Sequence, residues 1–233
     1  MRSTKTRLLE DFARYMQVQA ALAETRPKQS LPSITISRQA GAGGTTVARL
    51  LAEGLGDKSG RPWTVFDKNL AEVVLRDHNL PAPVERFMHE DAPPVIRDAV
   101  AELLGVHPSG WKLVEHTTAT ILRLANLGHA IFVGRGSNII TANRKNVLHV
   151  RLVAPYALRV KNVEDFYHLS PQEAAEFISV TEEARRRYVK RYFKAEIDDP
   201  LCYHLVVNTG LIGYEDAARM IGDATRKLPQ HVL

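Results

Sequence analysis

Apolar positions along this chain come in short bursts, and between the bursts they recur at helical spacing. Ser33-Ile34-Thr35-Ile36-Ser37 reads as a short buried strand. A glycine-rich turn follows, and Val47–Leu55 then reads as an amphipathic helix stopped at Gly56. Strand, glycine turn and helix in that order open a βαβ unit. Trp63–Phe66 predicts a second strand ending in Asp67-Lys68, Ala130–Gly134 a third, Val147–Leu152 a fourth and Leu205–Asn208 a fifth. The stretches 69–127 and 155–195 read as mostly helical, and Tyr214–Leu228 as a closing helix. Near the N-terminus, Leu8, Phe12, Tyr15, Met16, Gln19 and Leu22 make a mostly apolar helical stripe that ends at Thr25-Arg26-Pro27-Lys28. We read it as a packing or dimer helix, because its basic face is thin for a membrane surface. Strands separated by helices predict an α/β fold with a parallel sheet covered on both faces.

Composition narrows the classes. The chain has 233 residues, 45% of them hydrophobic and 24% charged, which suits one α/β domain with an insertion or a small lid. No run approaches the ~20 apolar residues that a membrane span needs. Arg7, Glu10, Asp11 and Arg14 interrupt any signal-peptide core, and the single Cys202 offers no disulfide or metal framework. A cytoplasmic location is the resulting expectation. Nine histidines show no pairing at zinc-ligand spacing. The net charge of +5 leaves a solvated basic surface or an anionic ligand as alternatives, so the location of the charge matters.

Gly41-Ala42-Gly43-Gly44-Thr45-Thr46 is the densest candidate chemistry. A phosphate needs backbone N–H donors and a helix N-terminus, and glycines let the backbone come close. Thr45 or Thr46 can cap the helix or ligate Mg²⁺. The full G-x-x-x-x-G-K-[ST] pattern is not met: Arg38 stands at the first glycine and Gly44 at the lysine, while Thr45 fits the hydroxyl position. Read alone, the loop is a phosphate cradle or a purely structural turn.

Four segments together resemble the cytidylate-kinase-like family. Ile34–Gly44 is similar to its opening, in which Gly-Gly stands for the usual Gly-Lys. Phe66-Asp67-Lys68 resembles its Tyr-Asp-Lys, and Val133-Gly134-Arg135-Gly136-Ser137-Asn138 its Gly-Arg-Gly. Asp199–Thr209 resembles its Asp-Pro-x-x-Tyr-x-Leu-x-x-Asn-Thr segment. The resemblance spans about residues 33–225 and implies a three-layer P-loop NTPase fold with a five-stranded parallel sheet. It also implies transfer of the ATP γ-phosphate, with Mg²⁺, to a nucleoside monophosphate or another small phosphorylated acceptor. The resulting organisation is an N-terminal helical extension over 1–32 and a kinase-like domain over 33–233. Within that domain, 69–127 is the acceptor-binding insertion and about 160–199 the lid.

Phosphoryl transfer rests on positioning and on neutralising phosphate charge. Arg185, Arg186, Arg187, Lys190, Arg191 and Lys194 place six cations in ten residues, with Arg187, Lys190, Arg191 and Lys194 on one helical face. Arg187 and Arg191 are our candidates from the lid; solvated Glu182–Arg186 and Glu183–Arg187 pairs are the alternative. A nucleic-acid helix is a weaker reading, since few aromatics interleave the charge. Arg135 follows a central strand, where ligands of open sheets bind, and is assigned to the acceptor phosphate over a structural ion pair. Asp67 and Lys68 share that edge as acceptor-site candidates; Asp67 could hold metal-bound water or acceptor groups, or cap the following helix. Arg38 either approaches the phosphates in place of the lysine or pairs with Asp67. Asp199 is a turn former or a partner of the lid arginines. Arg97, Lys112 and Glu115 are insertion candidates by charge and place alone.

Overall fold

A computed structural model describes residues 31–59, 62–67 and 110–228. The expected N-terminal helix and its dimer role, Lys68, Arg97 and most of the 69–127 insertion lie outside the described residues.

Five strands form one parallel sheet: β1 (Ser33–Arg38), β2 (Thr64–Phe66), β3 (Ala130–Val133), β4 (Val147–Val153) and β5 (Leu205–Asn208), in the order β2-β3-β1-β4-β5. The helices are α1 (Gly44–Ser59), α2 (Gly110–Leu127), α3 (Ser137–Ile140), α4 (Tyr156–Tyr167), α5 (Pro171–Phe193) and α6 (Tyr214–Arg226). The chain leaves β1 for β2 on one side and reaches β4 and β5 on the other, so the direction of strand addition changes at β1. Open α/β sheets bind ligands at such a point, outside the carboxyl ends of the strands.

Alternation along β1 gives the sheet two unlike faces. Ile34 and Ile36 join Ile131, Val133, Leu148, Val150 and Leu152 in an apolar layer covered by Val47, Ala48 and Leu51 of α1 and Ala217, Ala218 and Ile221 of α6. Ser33, Thr35 and Ser37 face the other way, in register with Val147, His149 and Arg151 of β4. That second face is polar yet buried, and two pairs on it bond across strands: Thr35 Oγ1 meets His149 Nδ1 at 2.9 Å, and Arg151 Nη1 donates to Ser37 Oγ at 2.8 Å. Phe66 and Phe132, stacked at 5.6 Å, supply apolar weight on the β2–β3 side.

Most predicted boundaries hold within a residue or two. Helix α1 is the exception: it does not stop at Gly56 but runs to Ser59. Neither Gly54 nor Gly56 takes a positive φ. Packing of Leu51 and Leu55 against α6 outweighs a glycine cost of about 1 kcal/mol. The charged 155–195 stretch is two helices, broken where His168 turns left-handed at φ 57°. Ser170 and Glu173 then cap α5 reciprocally, with Pro171 in its first turn. No described helix is long and apolar enough to cross a membrane.

Candidate functional site

The glycine loop joins β1 to α1. Gly41 (φ 79°) and Gly43 (φ 77°) sit in the left-handed region, where a side chain is strained. Space forbids one as well. A Cβ on Gly41 would lie 2.4 Å from the Arg159 carbonyl oxygen, and one on Gly43 would lie 2.3 Å from the Tyr214 ring. Helices α4 and α6 therefore press directly on the loop. Three successive loop carbonyls are held by side chains: Ala40 by Arg159 Nη1 at 3.4 Å, Gly41 by Asn162 Nδ2 at 2.8 Å and Ala42 by Thr209 Oγ1 at 3.1 Å. The first intrahelical bond of α1 is from Val47 N–H to the Gly43 carbonyl, at 2.9 Å. By helix geometry the amides of Gly44, Thr45 and Thr46 precede it and have no intrahelical acceptor. No acidic residue stands in that turn, so its positive end suits an anion. Ala42 has a different part: its methyl is buried in the apolar layer.

Beside the loop, Thr45 Oγ1 donates to Asp67 Oδ2 at 2.7 Å, and Arg38 Nη2 lies 4.0 Å from Asp67 Oδ1. The ends of β1 and β2 and the start of α1 thus meet at one carboxylate. Of the two roles open to Arg38, pairing with Asp67 is present in this geometry.

After β3 the backbone takes three left-handed residues in succession, Gly134 (φ 81°), Arg135 (φ 60°) and Gly136 (φ 66°). Arg135 is a non-glycine residue held in a costly conformation, as is common where a side chain must be aimed. It is buried and lines a cavity with Arg38, Arg185, Ser37, Tyr188, Tyr203 and Asn138. Arg185 comes from α5, and its Nη1 donates to the Arg38 carbonyl at 3.4 Å. A Cβ on Gly136 would meet the Phe193 ring at 2.5 Å, so the C-terminal end of α5 roofs this turn.

The structure distributes the five cations of α5, and Lys194 at its C-cap, unevenly. Arg187 is exposed and pairs with Glu183 at 3.5 Å; Arg191 is exposed and lies over the Tyr192 ring at 5.6 Å. Neither lines the cavity that holds Arg135. The Glu182–Arg186 pair is present too, at 3.6 Å, and Glu182 also binds the buried Arg159 at 2.7 Å. The cation that α5 turns toward the cavity is Arg185. Its signal was in the sequence: Ala174, Ile178, Thr181, Arg185 and Val189 form one buried stripe at helical spacing. Asp199 caps the following turn by accepting from Leu201 N–H at 2.9 Å. It is Asp198 that meets the arginines, Arg186 at 3.3 Å and the buried Arg151. Tyr203 donates to the Ile197 carbonyl at 2.7 Å, its hydroxyl oxygen lies 3.2 Å from Ser37 Oγ, and burial raises its pKa above the ordinary tyrosine value. Asn162 and Tyr214, bonded at 3.0 Å behind the loop, carry no motif that a sequence would reveal. Among the described residues, no cluster of three His, Cys, Asp or Glu side chains could hold a metal.

The sheet order, the glycine loop at the carboxyl end of β1 and the arginines around it define a P-loop phosphotransferase fold. The model of the cytidylate kinase-like family matches residues 33–211, and the chain belongs to that family. None of the curated proteins matches it. Among solved structures it is similar to an uncharacterized protein from Eubacterium ventriosum ATCC 27560, at 18% identity and TM-score 0.62, over 84% of this chain and 99% of that one. It also aligns with a shikimate kinase from Acinetobacter baumannii in complex with shikimate, at 18% identity and TM-score 0.43, over 86% and 97%. A dephospho-CoA kinase from Campylobacter jejuni aligns at 14% identity and TM-score 0.37, over 85% and 98%. Only the first of these likenesses is strong enough to bear on the fold.

Proposed function

We propose that this protein moves the γ-phosphate of ATP to a nucleoside monophosphate of the CMP type, or to a similar small phosphate acceptor. The observation that carries the reading is the meeting of Arg38, Arg135 and Arg185 around one cavity, beside a glycine loop at a helix N-terminus. An acceptor phosphate oxygen would form a bond to the γ-phosphorus, the bond to the β-phosphate oxygen would break, and ADP would leave. Three guanidinium groups supply the charge neutralisation that such a transfer demands. Arg135, set by its two glycines, is our choice to hold the acceptor phosphate through its planar fork.

Magnesium fits the donor set. The Thr45 hydroxyl and the Asp67 carboxylate, 2.7 Å apart, are hard oxygens at the mouth of the cradle. Mg²⁺ is usually held by one or two such groups together with waters and phosphate oxygens. Thr45 and Asp67 would hold it, and when bound it would neutralise phosphate charge.

A coupled ADP-release assay with Mg-ATP and a panel of nucleoside monophosphates tests the proposal. Turnover that depends on one acceptor supports it. ATP binding without acceptor-dependent turnover would instead favour a nucleotide-binding regulatory protein, the reading to which glycine at the lysine position lends weight.

A further inference from the structure

The lysine of a P-loop stands at the position of Gly44 and reaches the β- and γ-phosphates. Here that position has no side chain, and the space beside it is filled. A Cβ on Gly44 would lie 2.8 Å from Cγ of Arg38 and 3.3 Å from both its Cβ and its Cδ. The aliphatic stem of Arg38 therefore lies against the bare Cα of Gly44, and no side chain fits at residue 44 while the arginine keeps this path. The stem leads the guanidinium to 4.0 Å from Asp67, whose other oxygen accepts from Thr45, the residue next to Gly44. The Arg185 guanidinium holds the Arg38 carbonyl at 3.4 Å, which fixes the backbone from which the stem departs.

We infer that Arg38 is the phosphate-binding cation that replaces the P-loop lysine, and that glycine at residue 44 is the condition for its doing so. The missing lysine and the arginine are thus one exchange: the charge enters from the end of β1, and Gly44 clears its path. This inference rests on the reading of the loop as an ATP-phosphate site. Arginine is suited to the exchange because its charge persists and its fork can bond two phosphate oxygens.

The test is titration of the full chain with Mg-ATP and with AMP, alongside thermal unfolding of every variant. Arg38→Met keeps the stem on Gly44 and removes only the charge. We expect it to weaken Mg-ATP by about tenfold or more, as the loss of charged hydrogen bonds does, with little change for AMP. Gly44→Lys alone is expected to lose affinity, because its side chain meets the Arg38 stem. Arg38→Ala combined with Gly44→Lys restores the ordinary arrangement and is expected to recover Mg-ATP binding to within about threefold of the parent. A folded Arg38→Met that binds Mg-ATP as the parent does overturns the inference, whatever the double variant shows. Equal losses for ATP and AMP overturn it too, since the arginine would then serve the loop and not the phosphates. A parent chain that binds no Mg-ATP would sink the underlying nucleotide reading itself, and the two failures are thereby told apart.

Discussion

The hydroxyl of Thr45 and the carboxylate of Asp67 are joined by a 2.7 Å hydrogen bond between residues 22 positions apart. That bond ties the first turn of α1 to the end of β2, and on the proposed reading its two oxygens would hold the Mg²⁺. Thr45→Ala removes one of them. We expect Mg-ATP affinity to fall by about tenfold, while ATP binding in excess chelator stays near the parent value. Calorimetric titration with and without magnesium checks this. An equal loss in both conditions would assign Thr45 to the loop's structure.

Gly43 faces two penalties when it gains a methyl group. Its φ of 77° strains any side chain, and the Tyr214 ring stands 2.3 Å from the new Cβ. Gly43→Ala should cost about 2 kcal/mol or more in denaturant unfolding, of which the backbone share is about 1 kcal/mol. In a Tyr214→Ala background the same substitution should cost only the backbone share. Full additivity of the two changes would show that the ring is not what excludes the methyl.

Arg135 is expected to act on the acceptor. Arg135→Ala should raise the KM for the acceptor by about tenfold or more, with a much smaller change in the KM for ATP. Initial rates over a grid of both substrates decide it. A larger effect on ATP would move Arg135 to the nucleotide side.

His149 gives the fold a dependence on pH. Burial, aided by the neighbouring His204 stacked at 4.8 Å, pushes its pKa down to about 4, while the backbone of Thr141 opposes the shift. The unfolded chain takes up the proton near pH 6.5, so the stabilisation is complete above that value and is lost as pH falls toward 4. A shift of this size corresponds to about 3 kcal/mol at most. Urea unfolding at pH 7.5 and 4.5 should show the loss, and His149→Asn should flatten it. A profile unchanged by the substitution would assign the acid sensitivity to other groups.

Much of this architecture was legible in the sequence. The strands were, because each buries an apolar burst between turn formers, and the β5 limits agree with Leu205–Asn208 throughout. The glycine loop was legible because its chemistry is local. What stayed hidden depends on the third dimension. Gly56 looked like a helix stop, yet contacts across α1 and α6 carry the helix past it. Arg187 and Arg191 share one helical face and are the cations expected from the lid, whereas Arg185, on the buried stripe, is the α5 arginine that lines the cavity. A surplus of charge in one helix says how many cations exist, and only the burial pattern says which of them turns inward. Asp198 and Asp199 are neighbours of like chemistry, and the fold alone separates a partner of Arg151 from a turn cap.

The pleat of β1 bears on how this site can be inherited. Arg38 stands two residues beyond Ile36 and so leaves the strand on the side of α1, where Gly44 is waiting. One residue gained or lost within the strand would send the arginine among the hydroxyls of Ser33, Thr35 and Ser37, and would bring a serine to the glycine. The exchange of lysine for arginine is therefore open only to positions of one parity. Descendants of this chain that keep glycine at residue 44 should tolerate changes of two residues in this strand more readily than changes of one.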